Sequence, residues 1–277
     1  QDKQVLMKTL IKNGKIITID RQGYVVQALA VQQGRINDAG SNETIAGYLG
    51  RTTRVIDLMG KTLTPGLIDS HAHLPPFGLR ESKRWVKLQG MESKEEILEA
   101  LSRKAQNLPK GQWIVAWGVE DNALSYFTKE DLDKVSSDHP MLITHTTGQW
   151  GFANSLALKI SGIDGNTLSP PGSKVAMQVF GKEPTGLLIH YPALYLVRKH
   201  MPAISDEDAR ECILHAANLY AREGVTTIHD NFFMVSEIGS NQFAKAYINL
   251  VQTGDLPTRI KIWPYLANLR EATRVMD

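Results

Sequence analysis

Cysteine is almost missing from this chain. Cys212 stands alone among 277 residues, so no intramolecular disulfide is available and no disulfide scaffold holds the fold. An excess of one charge is missing too. Lys and Arg number 31 against 29 Asp and Glu, a formal charge of +2 with no dominant basic stripe, and this gives no footing for a nucleic-acid partner. No apolar run approaches the ~20 residues that a bilayer span requires, so no membrane partner is expected. What is present is ordinary globular composition, 42% hydrophobic and 22% charged, unlike that of a disordered chain. The length suits two domains or one barrel-sized domain. The chain begins at Gln1 rather than Met, which fits a removed secretory signal or a trimmed start equally. One free thiol is compatible with the cytoplasm and with a periplasmic or extracellular location.

The first sixty residues read as short strands and turns. Leu10-Ile11, Asn13-Gly14 and Lys15 to Ile19 predict a hairpin, because Asn-Gly between β-rich runs is a strong turn signal. Gln33-Gly34 makes a further turn before Arg35-Ile36, and Arg54 to Leu58 is another strand. Pro65-Gly66 marks a turn, after which Leu67 to His73 predicts a buried strand that Pro75-Pro76 stops. Ser93 to Asn107 predicts a helix, with Ser93 and Glu96 spaced as a capping box. Trp113 to Trp117 and His139 to Thr144 read as strands, Thr128 to Leu132 and Asn154 to Ile160 as short helices, and Asn166 to Pro184 as loop. Asp206 to Arg222 is an amphipathic helix ending at Gly224. Strand Val225 to His229, helix Asn241 to Gln252 and strand Arg259 to Leu266 follow. Strand and helix alternating at this spacing argue for parallel βα units, an α/β fold.

His71 and His73 are the sharpest chemical feature. Residues i and i+2 of a strand project to one face, and the carboxyl ends of parallel strands are where sites are built. Two neutral imidazoles at ~2.0–2.1 Å from a cation form half of a tetrahedral zinc shell. The plain alternative is a chance pair on the surface. Asp69 has the same parity and either orients a ligand histidine or acts as a structural acceptor. Imidazole suits zinc, iron, manganese or nickel, with zinc the first choice. Among further pocket candidates, His229 and Asp230 end a strand and either line the site or form a structural pair. His145 faces the pocket or is a satisfied polar group, and His190 follows a loop within reach of a substrate. Trp117 and Trp150 shape an apolar pocket or simply pack. Cys212 reads as a small core hydrophobe. His139, His200 and His215 read as structural or exposed.

The segment Gly60-Lys61-Thr62-Leu63-Thr64-Pro65-Gly66-Leu67-Ile68-Asp69-Ser70-His71-Ala72-His73 resembles the signature of the amidohydrolase superfamily. Trp113-Ile114-Val115, Trp117-Gly118, Asn154-Ser155 with Ala157-Leu158, Gly181 to Gly186 and Gly224 to Asp230 extend the likeness. They make it closer to the branch that holds N-substituted formamide deformylases. The resemblance implies a (β/α)8 barrel flanked by a β-sandwich, one or two divalent metals, and hydrolysis of a C–N bond other than a peptide bond in a small-molecule amide, formamide or cyclic amide. It maps only His71 and His73 among the family's metal ligands. It implies a β-sandwich segment over 1–62, the first barrel strand and metal motif over 63–84, an inserted α+β region over 85–190, and barrel strands two and three with their helices over 191–277. A whole barrel takes ~250 residues, so the expected architecture is a partial TIM-like barrel of about three strands, the N-terminal half of such a hydrolase. The general-base aspartate and further ligands are expected beyond residue 277. One departure is Thr147-Gly148-Gln149, where Gln149 takes the place of a family histidine and keeps the capacity to donate and accept hydrogen bonds. The competing expectations are an inactive half-barrel that pairs with a second copy or a missing half, and a metal- or small-molecule-binding module without turnover.

Overall fold

Two turns near the start of the chain part company, and their backbone angles say why. A two-residue type I′ hairpin needs positive φ at both central residues. Gln33 and Gly34 have φ of 53° and 72°, and they join β4 (Ala28–Gln32) to β5 (Arg35–Gly40) as an antiparallel pair. At Asn13-Gly14 only Asn13 is left-handed, at 57°. The expected hairpin is therefore not formed. β1 (Lys8–Lys12) and β2 (Lys15–Ile17) enter different sheets, and the Gly14 amide donates to the Gln27 carbonyl instead.

This computed structural model describes residues 8–122, 127–231 and 240–263. The chain divides into two compact units, 1–67 and 68–277. The first is nearly all β. One sheet runs β5-β4-β1-β6, with β6 at Arg54–Asp57. The other runs β3-β2-β7, with β3 at Val25–Val26 and β7 at Thr62–Leu63. Leu10, Ala28 and Ala30 pack with Ile45 of the short helix α1 (Asn42–Ala46).

The second unit is mixed α/β and holds two sheets. The larger runs β13-β14-β12-β11-β10-β9. Its strands are β9 (Val86–Lys87), β10 (Ile114–Val119), β11 (Met141–His145), β12 (Trp150–Ala153), β13 (Lys174–Met177) and β14 (Pro184–Ile189). Period-two alternation decides what each face covers. Ile114, Ala116, Met141, Ile143 and Phe152 meet Ile97 and Leu101 of α3 (Lys94–Gln106) and Leu132 of α4 (Lys129–Val135). Leu142, Ala153 and Leu188 face the other way, onto α5 (Ser155–Ile160) and α6 (Tyr191–Arg198). The Ser93/Glu96 capping box starts α3. The stretch 166–184, expected as loop, contributes β13, which pairs antiparallel with β14.

The smaller sheet, in the order β16-β15-β8, carries the two histidines. It comprises β8 (Leu67–Ala72), β15 (Val225–Asp230) and β16 (Arg259–Ile262), the last two parallel. The carboxyl ends of β8 and β15 meet where the Asn231 amide donates to the Ala72 carbonyl at 2.7 Å. On this sheet pack α2 (Leu74–Glu81), α7 (Asp206–Arg222) and α8 (Ser240–Thr253). α7 lies between α2 and α8, and Cys212 and Ile213 join Leu79, Phe243, Tyr247 and Leu250 in the core. β8 is not the buried strand expected from its apolar residues. Among the described residues it forms one edge of its sheet, and of its six residues only Ala72 is buried. Pro75 and Pro76 end the strand by opening α2, since proline at the first helical turn removes only amides that have no helical partner anyway.

Candidate functional site

β8 ends at Ala72, so His71 lies in the strand and His73 one residue past it, at the N-cap of α2. The two rings still meet, with centroids 5.1 Å apart in an edge-on arrangement. Asn231, directly after β15, ties both. Its carbonyl oxygen lies 3.1 Å from His73 Nδ1, and its side-chain Nδ2 lies 2.9 Å from the ring nitrogens of His71. An Nδ1–H donated to that carbonyl places the lone pair of the neutral His73 ring on Nε2, the tautomer that binds a metal. Sequence reasoning passed over Asn231. Its signal was its place, immediately after a strand parallel to the one bearing the histidines.

Asp69 accepts the backbone amide of His71 at 2.9 Å, fixing the turn of the strand rather than an imidazole ring. It also faces Tyr220, whose hydroxyl is pushed up in pKa by burial and then by that carboxylate. Asp230 is fully buried. Its Oδ1 accepts the Leu74 amide at 2.9 Å and its Oδ2 accepts the Tyr247 hydroxyl. Asp230 thus clamps the start of α2, just after His73, to β15. Burial raises its pKa, while Tyr247, Leu74 and the nearby His73 pull the other way. Tyr247 is itself pushed well above the ordinary tyrosine value by burial and by Asp230. His229 is half-buried, its ring 6.0 Å from that of Trp263.

Beside His73 opens a cavity of about 260 Å³, lined also by Arg80, Trp85, Trp117, Thr146 and Arg198. Of the pocket candidates only Trp117 lines it. Its indole Nε1–H donates to the Thr146 carbonyl at 3.0 Å, and the Arg80 guanidinium lies 4.2 Å over its ring. His145 is buried behind that wall. It stacks on Trp150 at 4.6 Å, with Nδ1 2.8 Å from the Thr147 hydroxyl and Nε2 3.2 Å from Asp121. The Gln149 side chain is exposed, and its carbonyl accepts the His190 amide at 2.6 Å. Gln149, His229 and Asp230 do not line this cavity. His190 has φ of 64° at the N-cap of α6. His139 is buried, with Nδ1 2.8 Å from the Gln112 carbonyl, and His200 and His215 are exposed. Among the described residues no three His, Cys, Asp or Glu side chains cluster as a complete metal site.

The amidohydrolase family profile matches residues 54–276, and the chain belongs to that family. It is 35% identical over 233 residues to Protein LONG AFTER FAR-RED 3 of Arabidopsis thaliana, covering 82% of this chain and 38% of that protein. It is 30% identical over 227 residues to N-substituted formamide deformylase of Arthrobacter pascens, covering 80% of this chain and 42% of that enzyme. The chain thus spans less than half the length of these relatives. In fold it is similar to the crystal structure of an uncharacterized metal-dependent hydrolase from Pyrococcus horikoshii OT3, with a TM-score of 0.66 and 24% identity, over 92% of this chain and 48% of the other. Among the described residues no helix is long and apolar enough to cross a membrane.

Proposed function

We propose that this chain is part of a metal-dependent hydrolase that cleaves a C–N bond other than a peptide bond, in a small amide, formamide or cyclic amide. The observation that carries the reading is the pairing of His71 and His73 at one strand end, with Asn231 holding both rings. The donor set fits a divalent cation of imidazole preference, with zinc first, because two imidazoles stand with centroids 5.1 Å apart and one ring is fixed in a ligating tautomer. Such an ion supplies a Lewis acid for the carbonyl and a water acidic enough to ionise near neutral pH. The chain's own residues would do the rest. His71 and His73 hold the ion, Asp230 anchors the segment that carries His73, and Trp85 and Trp117 keep one side of the cavity apolar. Further ligands and the general base would come from outside the described residues, as would the strands that complete a TIM-like barrel around β8, β15 and β16.

The test is metal content. Zinc bound by the chain should fall at least several-fold in the His71→Ala, His73→Ala double variant, measured by elemental analysis after dialysis. Equal metal in both proteins would remove the reading. The family placement of N-substituted formamide deformylase makes N-alkyl formamides the first neutral substrates to assay on a chain that holds metal.

A further inference from the structure

Two arginines line the cavity beside His73, and among the described residues neither forms a close ion pair with a carboxylate, although Glu81 acts on Arg80 from a distance and favours its charged form. Arg80 sits near the end of α2. Its Nε donates to the Pro76 carbonyl at 3.0 Å and its guanidinium lies over the Trp117 ring, so the group is held in place by its Nε and its face. Its chain neighbour Glu81 pairs with Lys87 at 2.9 Å instead. Arg198 ends α6, in an otherwise apolar helix. Its guanidinium stands 5.9 Å from the Tyr191 ring, and burial pushes its pKa down to about 10. Partly desolvated cations without counter-charge are unfavourable in a protein interior. They are kept where a ligand supplies the missing charge, and arginine's planar fork suits a carboxylate or phosphoryl group in particular. Every other side chain lining this cavity is neutral or imidazole: tryptophan, proline, threonine and His73.

We propose that this cavity selects a substrate carrying an oxyanion, a carboxylate or a phosphoryl group, which Arg80 and Arg198 bind while the susceptible C–N bond is presented toward His73. This specificity rests on the hydrolase reading above, but the anion site is measurable without turnover. The tryptophans give the anion an apolar companion, so an aromatic amide acid is a fitting probe.

The experiment is calorimetric titration of the 277-residue chain, stripped of metal and reloaded with zinc, using hippurate, phenyl phosphate and the neutral hippuramide. At least one anion should bind about tenfold or more tightly than hippuramide, the scale of one or two charge-assisted hydrogen bonds; which anion does so names the source of the charge. Arg80→Met and Arg198→Met should each erase that preference, and Arg80→Lys should keep only part of it because the stacked fork is lost. If a methionine variant fails to fold, raised ionic strength supplies the second arm: it should weaken the anion and leave hippuramide unchanged. Equal binding of anion and amide, or no binding of either, overturns the anion site. Loss of zinc binding with the anion preference intact would instead sink the metal reading and leave this one standing.

Discussion

At the level of single residues, Asp230 and Tyr247 decide how firmly the His73 segment is held. A carboxylate buried at 0% exposure depends on its two donors, the Leu74 amide and the Tyr247 hydroxyl. Tyr247→Phe removes one and should cost about 1–3 kcal/mol in urea unfolding, the range for a buried group left short of a partner. The cost should grow with pH, because the hydroxyl helps the ionised carboxylate most. The pKa of Asp230 is raised in the folded state. Its favourable contribution is therefore present below the unfolded value near ~3.9 and is lost as pH rises through the folded value. The stability of wild type relative to Asp230→Asn should fall as pH climbs from about 4 to about 7. A difference that is flat or rises over that range would contradict the raised pKa. None of this was visible in the sequence, where His229 and Asp230 could equally have lined a site. What sets the role of Asp230 is an α2 amide 156 residues away in the chain, a long-range contact that local pattern does not encode.

Elements follow the same division between local and distant causes. α3 was legible because its start is chemical and local: Ser93 and Glu96 satisfy each other's backbone amides. α7 was legible from its apolar stripe, with Ser205 accepting from the Asp208 amide and three acids in its first turn. β13 was hidden in a segment rich in Gly, Pro and Ser, since its strand state comes from pairing with β14 rather than from propensity. α2 was hidden by Pro75-Pro76, which reads as a breaker until those residues are seen in a helix's first turn. The packing of α2 on α7 has a specific requirement at Gly78. A Cβ there would stand 2.3 Å from the Cys212 carbonyl oxygen, a backbone atom that cannot swing aside. Gly78→Ala should cost about 1–3 kcal/mol by forcing the helices apart, read as a lower urea midpoint with an unchanged slope. A midpoint equal to wild type would show that the two helices are free to separate.

For the whole molecule the informative feature is β8, an edge strand with apolar side chains in water. Ile68 is 66% exposed, and on α8 Ile248 and Val251 are 59% and 67% exposed. Edge strands offer unpaired backbone groups to a neighbour, and proteins usually blunt them with charge, proline or a covering element. Ile68, near the start of β8, is an uncharged apolar side chain at such a position. A second copy of the chain can extend the β16-β15-β8 sheet from this side and bury the exposed isoleucine in the same step. Sedimentation velocity over a concentration series should therefore show species heavier than the 30.8 kDa chain. Ile68→Lys should return them to monomer, because a charge at an edge position opposes strand addition without disturbing the core behind Ala72. His71 and His73 lie at and just past the other end of the same strand, so zinc content should be the same in Ile68→Lys as in wild type. A wild-type chain that stays monomeric at every concentration would show that this edge does not recruit a second copy.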